Sequence, residues 1–191
     1  MSDKGTYKNI HQDLIDRCRL GESKAQFEIY RLYYKAMYNT SLRILNHEAE
    51  AEDVMQESFL DAFRKLDEYK GEGSFGGWLR RIVVNNSIDT LKKRKEFVPL
   101  ENNLPEPDDD SSGAMESIEY RVEEIKKALP LLPEDYRVIL SLLLFEGYDH
   151  EEIAQILNIS NNVSRTRFFR AKERLLKILA EQRTIKMYHP N

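Results

Sequence analysis

Apolar residues recur at intervals of three and four along most of the chain, and no stretch shows sustained two-residue alternation between turn signals. That period predicts helices throughout and an all-α fold. It places helices near 8–20, 23–45, 47–67, 75–95, 117–129, 133–146, 149–157 and 161–182. The helix ends carry matching chemistry. Pro133 with Glu134 and Asp135 reads as a proline at the first helical position followed by acids that meet the positive end of the dipole. Asp149 and Glu152 are spaced as a capping box, and Gly147 just before them is free to turn left-handed and end the preceding helix.

The helical pattern is interrupted by VPLENNLPEPDDDSSGAMES, residues 98–117, which holds three prolines, an acidic triplet and few large apolar groups. Such a segment buries too little surface to offset its ordering entropy. It predicts a flexible acidic linker over 96–116 between two small helical domains, 1–95 and 117–191.

Charge sharpens this division. The 191 residues carry a net charge of -4, which by itself argues against a polyanion-binding protein. Residues 96–120, however, contain eight acids and no Lys or Arg, so the remainder is net +4. Six Lys or Arg fall within 80–95 against Asp89 alone, and eight fall within 165–186 against Glu173 and Glu181. Two basic surfaces on either side of an acidic spacer suggest two contacts with nucleic acid. No apolar run approaches the roughly 18 residues that cross a bilayer, and the first residues lack an apolar signal core, so a cytoplasmic protein is expected. The single cysteine, Cys18, has no second thiol to pair with and no zinc-ligand spacing around it.

The segment HEEIAQILNISNNVSRTRFF, residues 150–169, has helix-turn-helix spacing. Ile153, Ala154, Ile156 and Leu157 form a short apolar helix, Ala154 allows close approach, and Asn158 suits the left-handed turn. Ser160 can cap the second helix. At about 100° per residue, Asn162, Arg165, Phe169 and Lys172 share one face of that helix, opposite Phe168, Ala171 and Leu175. Arg165 suits a bidentate bond to a guanine edge, Phe169 a thymine methyl, and Arg170 and Lys172 the phosphates. Arg174, Lys177 and Arg183 fit a solvated face.

In the first domain, the helix near 47–67 turns Met55, Phe59, Ala62, Phe63 and Leu66 to one side. Asp53, Glu57, Asp61 and Arg64 lie opposite, with Leu60 at their margin. This acidic stripe fits solvent, a metal or a docked protein; a metal is disfavoured because no matching His or carboxylate motif stands on a second helix. The helix near 75–95 is apolar around most of its surface and leaves a narrow stripe of Trp78, Arg81, Asn85, Asp89 and Lys92. A tryptophan there is ordinarily core. Beside cations, and after the glycine-rich aromatic loop YKGEGSFGG at 69–77, it also has the makings of a single-strand stacking site.

Four segments in order, AEDVMQESFLDAFRKLDEY, FGGWLRRIVVNNSIDTLKKRK, LPEDYRVILSLLLFEGYDHEEIAQILNIS and SRTRFFRAKERL, together with the acidic linker, resemble the extracytoplasmic-function (ECF) class of the sigma-70 family. The likeness spans nearly the whole chain. It implies a promoter-specificity subunit of bacterial RNA polymerase with sigma2-like and sigma4-like helical domains and no sigma1.1 or sigma3 domain. Carried over by position, Asp53, Gln56, Glu57 and Leu60 match the helix that docks on the clamp coiled coil of the largest polymerase subunit. Trp78, Arg81, Asn85 and Lys92 match the helix facing the -10 element, and the loop 69–77, with Tyr69 and Phe75, matches the one that captures a flipped base. Arg165, Thr166, Phe169 and Arg170, with Asn162 and Lys172 beside them, match the -35 reading helix. Where the family usually opens that helix with Gly-Thr-Val, this chain has Asn162, Val163 and Ser164. A serine therefore occupies a buried valine position, which bears on how the helix sits and what it reads.

The resemblance thus implies an initiation factor without catalytic chemistry, cofactor or metal. Its expected partners are core polymerase, through the clamp of the largest subunit and the flap of the second-largest, promoter DNA, and an anti-sigma factor of the kind the family's members often pair with. A stand-alone helix-turn-helix regulator would leave the Trp78 helix and the acidic stripe without a task. A helical-bundle enzyme built on the carboxylates of 48–61 would lack a phosphate loop, a catalytic triad pattern and metal-ligand spacing.

Overall fold

The computed structural model describes residues 10–94 and 122–188, all helical apart from turns and short connections. The chain divides into two compact units, Met1–Arg94 and Lys95–Asn191. The predicted linker over 96–116 and the predicted helix start at 117 lie outside the described residues. Among the described residues no helix is long and apolar enough to cross a membrane.

The first unit contains α1 (Gln12–Arg19), α2 (Ser23–Leu45), α3 (Glu48–Arg64), a 3-10 turn (Leu66–Glu68) and α4 (Phe75–Lys93). α2 stops at Asn46, whose φ of 53° is left-handed. Asparagine tolerates that conformation better than other residues bearing a Cβ. His47 then caps α3 by accepting a hydrogen bond from the Glu50 amide at 3.3 Å. A two-residue link therefore folds α2 and α3 as a helical hairpin, and α4 packs against both. Their shared core includes Ile29, Met37, Met55, Phe59, Ala62, Phe75, Leu79 and Val83. Small side chains bring the helices close. Ser58 and Ser87 are fully buried and bond back to Val54 O at 2.6 Å and Val83 O at 2.7 Å, so neither hydroxyl is left unsatisfied. Asn86 of α4 donates to the Ser58 hydroxyl at 3.1 Å and to the Asp61 carboxylate at 3.2 Å, joining the two helices through polar atoms.

The second unit contains α5 (Val122–Ala128), a 3-10 turn (Leu129–Leu131), α6 (Glu134–Leu144), α7 (His150–Leu157) and α8 (Asn161–Tyr188). Pro133 sits one position earlier than expected, just before the first helical residue, Glu134. Gly147 is left-handed at φ 77°, and the Asp149–Glu152 capping box is complete. Asn158 closes α7 at φ 54°, and Ser160 accepts from the Val163 amide at 3.2 Å to open α8. α3 ends earlier than the periodicity predicts, its last expected turn tightening into the 3-10 segment. α8 runs on past the predicted end at 182 to Tyr188.

Candidate functional site

Three exposed faces stand out. On α3, Met55, Phe59 and Ala62 are buried while Asp53, Gln56 and Glu57 are exposed, so packing is satisfied without the acidic side. Leu60 remains 56% exposed beside them. It borders an open groove of about 410 Å³ between α2 and α3, lined by Phe27, Tyr30, Phe59, Leu60 and Phe63. Phe27, 60% exposed, was not singled out from the sequence. α2 carries apolar and aromatic residues on every side, so periodicity did not tell its outward Phe27 from its core residues.

The second face lies along α4, where Arg81, Asn85, Asp89 and Lys92 are exposed and Lys92 pairs with Asp89 at 3.7 Å. Ser74 starts the helix by accepting from the Gly77 amide at 3.1 Å. The loop before it turns through left-handed Gly71 and Gly73, at φ 75° and 86°. Trp78 is half-buried, with its ring centroid 5.4 Å from that of Tyr69 and 5.5 Å from that of Phe75. The other two aromatics depart from expectation. Tyr69 and Phe75 are 2% and 1% exposed, so they back the tryptophan from inside the core and offer no free face to a base. The cause is visible in their contacts. Phe75, the first residue of α4, is wedged between Tyr33 of α2 at 5.6 Å and Tyr69 at 5.4 Å, and the Tyr69 hydroxyl donates inward to Gly73 O at 2.8 Å.

The third face is the first half of α8. Asn162, Arg165 and Lys172 are exposed, and Phe169 and Arg170 are half-buried. The Arg165 Nε donates to Asn161 Oδ1 at 2.8 Å, one turn back, which extends the guanidinium along the helix. Thr166, expected at the reading surface, is only 7% exposed. α8 packs against α5, α6 and α7, so its buried surface is wider than one stripe and takes in Thr166 as well as Ala171 and Leu175.

Two family models match this chain, sigma-70 region 2 over residues 29–97 and sigma-70 region 4 over residues 122–175. The RNA polymerase sigma-H factor of Pseudomonas aeruginosa is 30% identical over 179 residues, covering 88% of this chain and 93% of that relative. The chain belongs to the ECF class of the sigma-70 family. The ECF RNA polymerase sigma-E factor of Escherichia coli is also 30% identical, over 85% of this chain and 90% of its own length. Two solved structures share the fold. One is the sigma factor RpoE of Bartonella quintana, crystallised with the anti-sigma factor NepR, with a TM-score of 0.53, 23% identity and coverage of 80% of this chain and 95% of that one. The other is CnrH with the cytosolic domain of CnrY, with a TM-score of 0.52, 19% identity and coverage of 90% and 97%. The protein is therefore an ECF sigma factor of RNA polymerase, built from the two helical domains expected of that class.

Within this sigma factor the unusual Ser164 finds a partner. It is fully buried in the first turn of α8, and its hydroxyl lies 2.9 Å from Nδ1 of His150, the first residue of α7. The His150 ring also meets Phe168 edge-on at 5.5 Å. Burial holds the imidazole below its ordinary pKa, and the charge of Arg165 pushes in the same direction. A polar bond thus ties the two helices of the helix-turn-helix together at the position where an apolar residue was expected.

Proposed function

We propose that the α3 face joins the sigma factor to core polymerase, with Asp53, Gln56 and Glu57 as a polar rim and Leu60 and the groove as an apolar centre. Its partner there is the clamp coiled coil of the largest subunit. What carries this reading is the outward acidic row beside an open apolar groove on a helix whose packing needs are met by its other side. An interface with an apolar centre and a charged rim binds through the centre and is oriented by the rim.

The remaining faces divide promoter recognition. Trp78, Arg81, Asn85 and Lys92 meet the -10 element as its strands part, with Tyr69 and Phe75 supporting Trp78 from behind. Asn162, Arg165, Phe169, Arg170 and Lys172 meet the -35 element, with Arg165 reading a base and Arg170 and Lys172 gripping phosphates. The second unit also meets the flap of the second-largest subunit, and an anti-sigma factor is a further partner, as NepR is for the Bartonella quintana sigma factor. The protein acts in the cytoplasm and brings no catalytic group of its own; polymerase supplies the chemistry.

Glu57→Lys tests the docking assignment. Charge reversal at an interface rim costs up to a few kcal/mol, so affinity for core polymerase should fall about tenfold or more while an exposed helix stays folded. Wild-type affinity in a variant that keeps its helical circular dichroism would exclude α3 as the docking surface.

A further inference from the structure

The loop from Tyr69 to Ser74 contains two left-handed glycines, so its own sequence gives it little stiffness. It is tied down from outside. Arg19, in the last turn of α1, donates from Nη2 to the Tyr69 carbonyl at 2.7 Å, across fifty residues of chain. Its Nη1 bonds Asp16 Oδ1 at 2.9 Å, and Asp16 accepts from Gln12 at the same distance, so the guanidinium is itself anchored on α1. Tyr69 carries the constraint further. Its backbone is fixed by Arg19, its hydroxyl closes the loop onto Gly73 O at 2.8 Å, and its ring lies against Trp78 at 5.4 Å.

We propose that Arg19 is a positioning residue for the -10 face: it fixes the loop backbone and, through Tyr69, the exposed side of Trp78. The inference rests on the reading of α4 given above. α1 lies before residue 29, where the region 2 match begins, so the tie is made from outside the matched segment. Its physical effect is preorganisation. A loop already ordered loses less entropy when it takes up an unpaired base than one that must be ordered on binding. Arg19 acts at a distance from the DNA, through a carbonyl and a ring.

The test uses holoenzyme and a fluorescein-labelled single strand spanning the -10 stretch of a promoter that the holoenzyme transcribes. Arg19→Met keeps the aliphatic stem but removes both donors. It should weaken binding of that strand about fivefold or more, the scale of ordering one or two residues. The salt dependence should be unchanged, and the emission of Trp78, the chain's single tryptophan, should shift in the free protein. Arg19→Lys, which keeps one charged donor, should recover part of the loss. Wild-type affinity and emission in Arg19→Met would overturn the proposal. So would unchanged emission with a salt slope reduced by about 0.7, which marks a lost phosphate contact on a single strand. If Arg19→Met loses helix content, Tyr69→Phe decides instead: it removes only the hydroxyl bond to Gly73 and should weaken binding in the same direction, and wild-type affinity there refutes the relay. Trp78→Ala separates the two levels. If it weakens binding while Arg19→Met does not, only the positioning role falls; if it leaves binding unchanged, the base-facing reading of α4 falls, and this inference with it.

Discussion

The bond between Ser164 and His150 should be measurable as a coupling between α7 and α8. Ser164→Ala removes a fully buried hydroxyl 2.9 Å from Nδ1. An intramolecular hydrogen bond contributes about 0.5–1.5 kcal/mol net, and an orphaned buried partner costs about 1–3 kcal/mol. His150 is half-buried, so water can satisfy part of the freed nitrogen, and Ser164→Ala should cost about 1 kcal/mol. His150→Ala loses the same bond together with the edge contact to Phe168, which adds about 0.5–1.5 kcal/mol. The serine left behind is not stranded, because a helical serine can bond the carbonyl four residues earlier, as Ser58 and Ser87 do in the first unit. The double variant should therefore be less destabilised than the sum of the singles by about 0.5–1.5 kcal/mol. Urea unfolding of the two singles and the double, with amide exchange of α7 and α8 to localise the effect, gives that number. Strict additivity would mean that the two side chains share no energy.

Three further outcomes follow from named contacts. Arg165→Ala should relax base preference on -35 DNA by about 1–3 kcal/mol, measured as the ratio of affinities for cognate and scrambled duplexes; equal loss on both would make Arg165 a phosphate contact. Because burial holds the His150 pKa below its ordinary value near 6.5, the unfolded chain binds more protons than the folded one just below that pH. The contribution is complete above about pH 6.5 and is lost as pH falls through the lowered value, so urea midpoints reported by α7 and α8 should fall as the pH is taken below about 6.5, and His150→Gln should flatten that fall. Gly76→Ala would place a Cβ 2.9 Å from the Tyr33 ring, which itself packs on Phe75, and should cost about 1–3 kcal/mol in thermal unfolding; an unchanged midpoint would show that the ring yields freely.

Much of the fold was legible because each helix end had its own chemistry. Asn158, Gly147 and the Asp149–Glu152 pair act locally, and local rules located them. Asp53 and Glu57 on α3 were equally legible as outward, opposite Met55, Phe59 and Ala62, whereas Asp61 of the same stripe turns to Asn86 of α4. What pairwise periodicity could not resolve was which of several neighbouring aromatics turn inward. Tyr69, Phe75 and Trp78 sit within ten residues; Phe75 is held inward by Tyr33 of another helix, and Tyr69 by Phe75 and its hydroxyl bond to Gly73. Thr166 was carried over from the family resemblance and lay outside the projected face; it is covered because α8 is packed by three helices. Ser164 was visible as a departure, but its partner fourteen residues away and the Arg19 tie across fifty residues exist only once the chain is folded.

Trp78 favours opened DNA only if it binds unpaired bases better than duplex. A base stacked on an aromatic contributes about 1–3 kcal/mol, comparable with the few kcal/mol that unstacking one base costs. Run-off transcription with core polymerase, comparing wild type and Trp78→Ala on a duplex promoter and on the same promoter with a pre-opened -10 bubble, measures this directly. Wild type should give discrete starts on both templates, and Trp78→Ala should lose about tenfold on the duplex, a loss that the bubble largely restores. Equal transcription by both proteins on the duplex, or a loss that the bubble does not relieve in a folded variant, would mean that Trp78 has no part in opening.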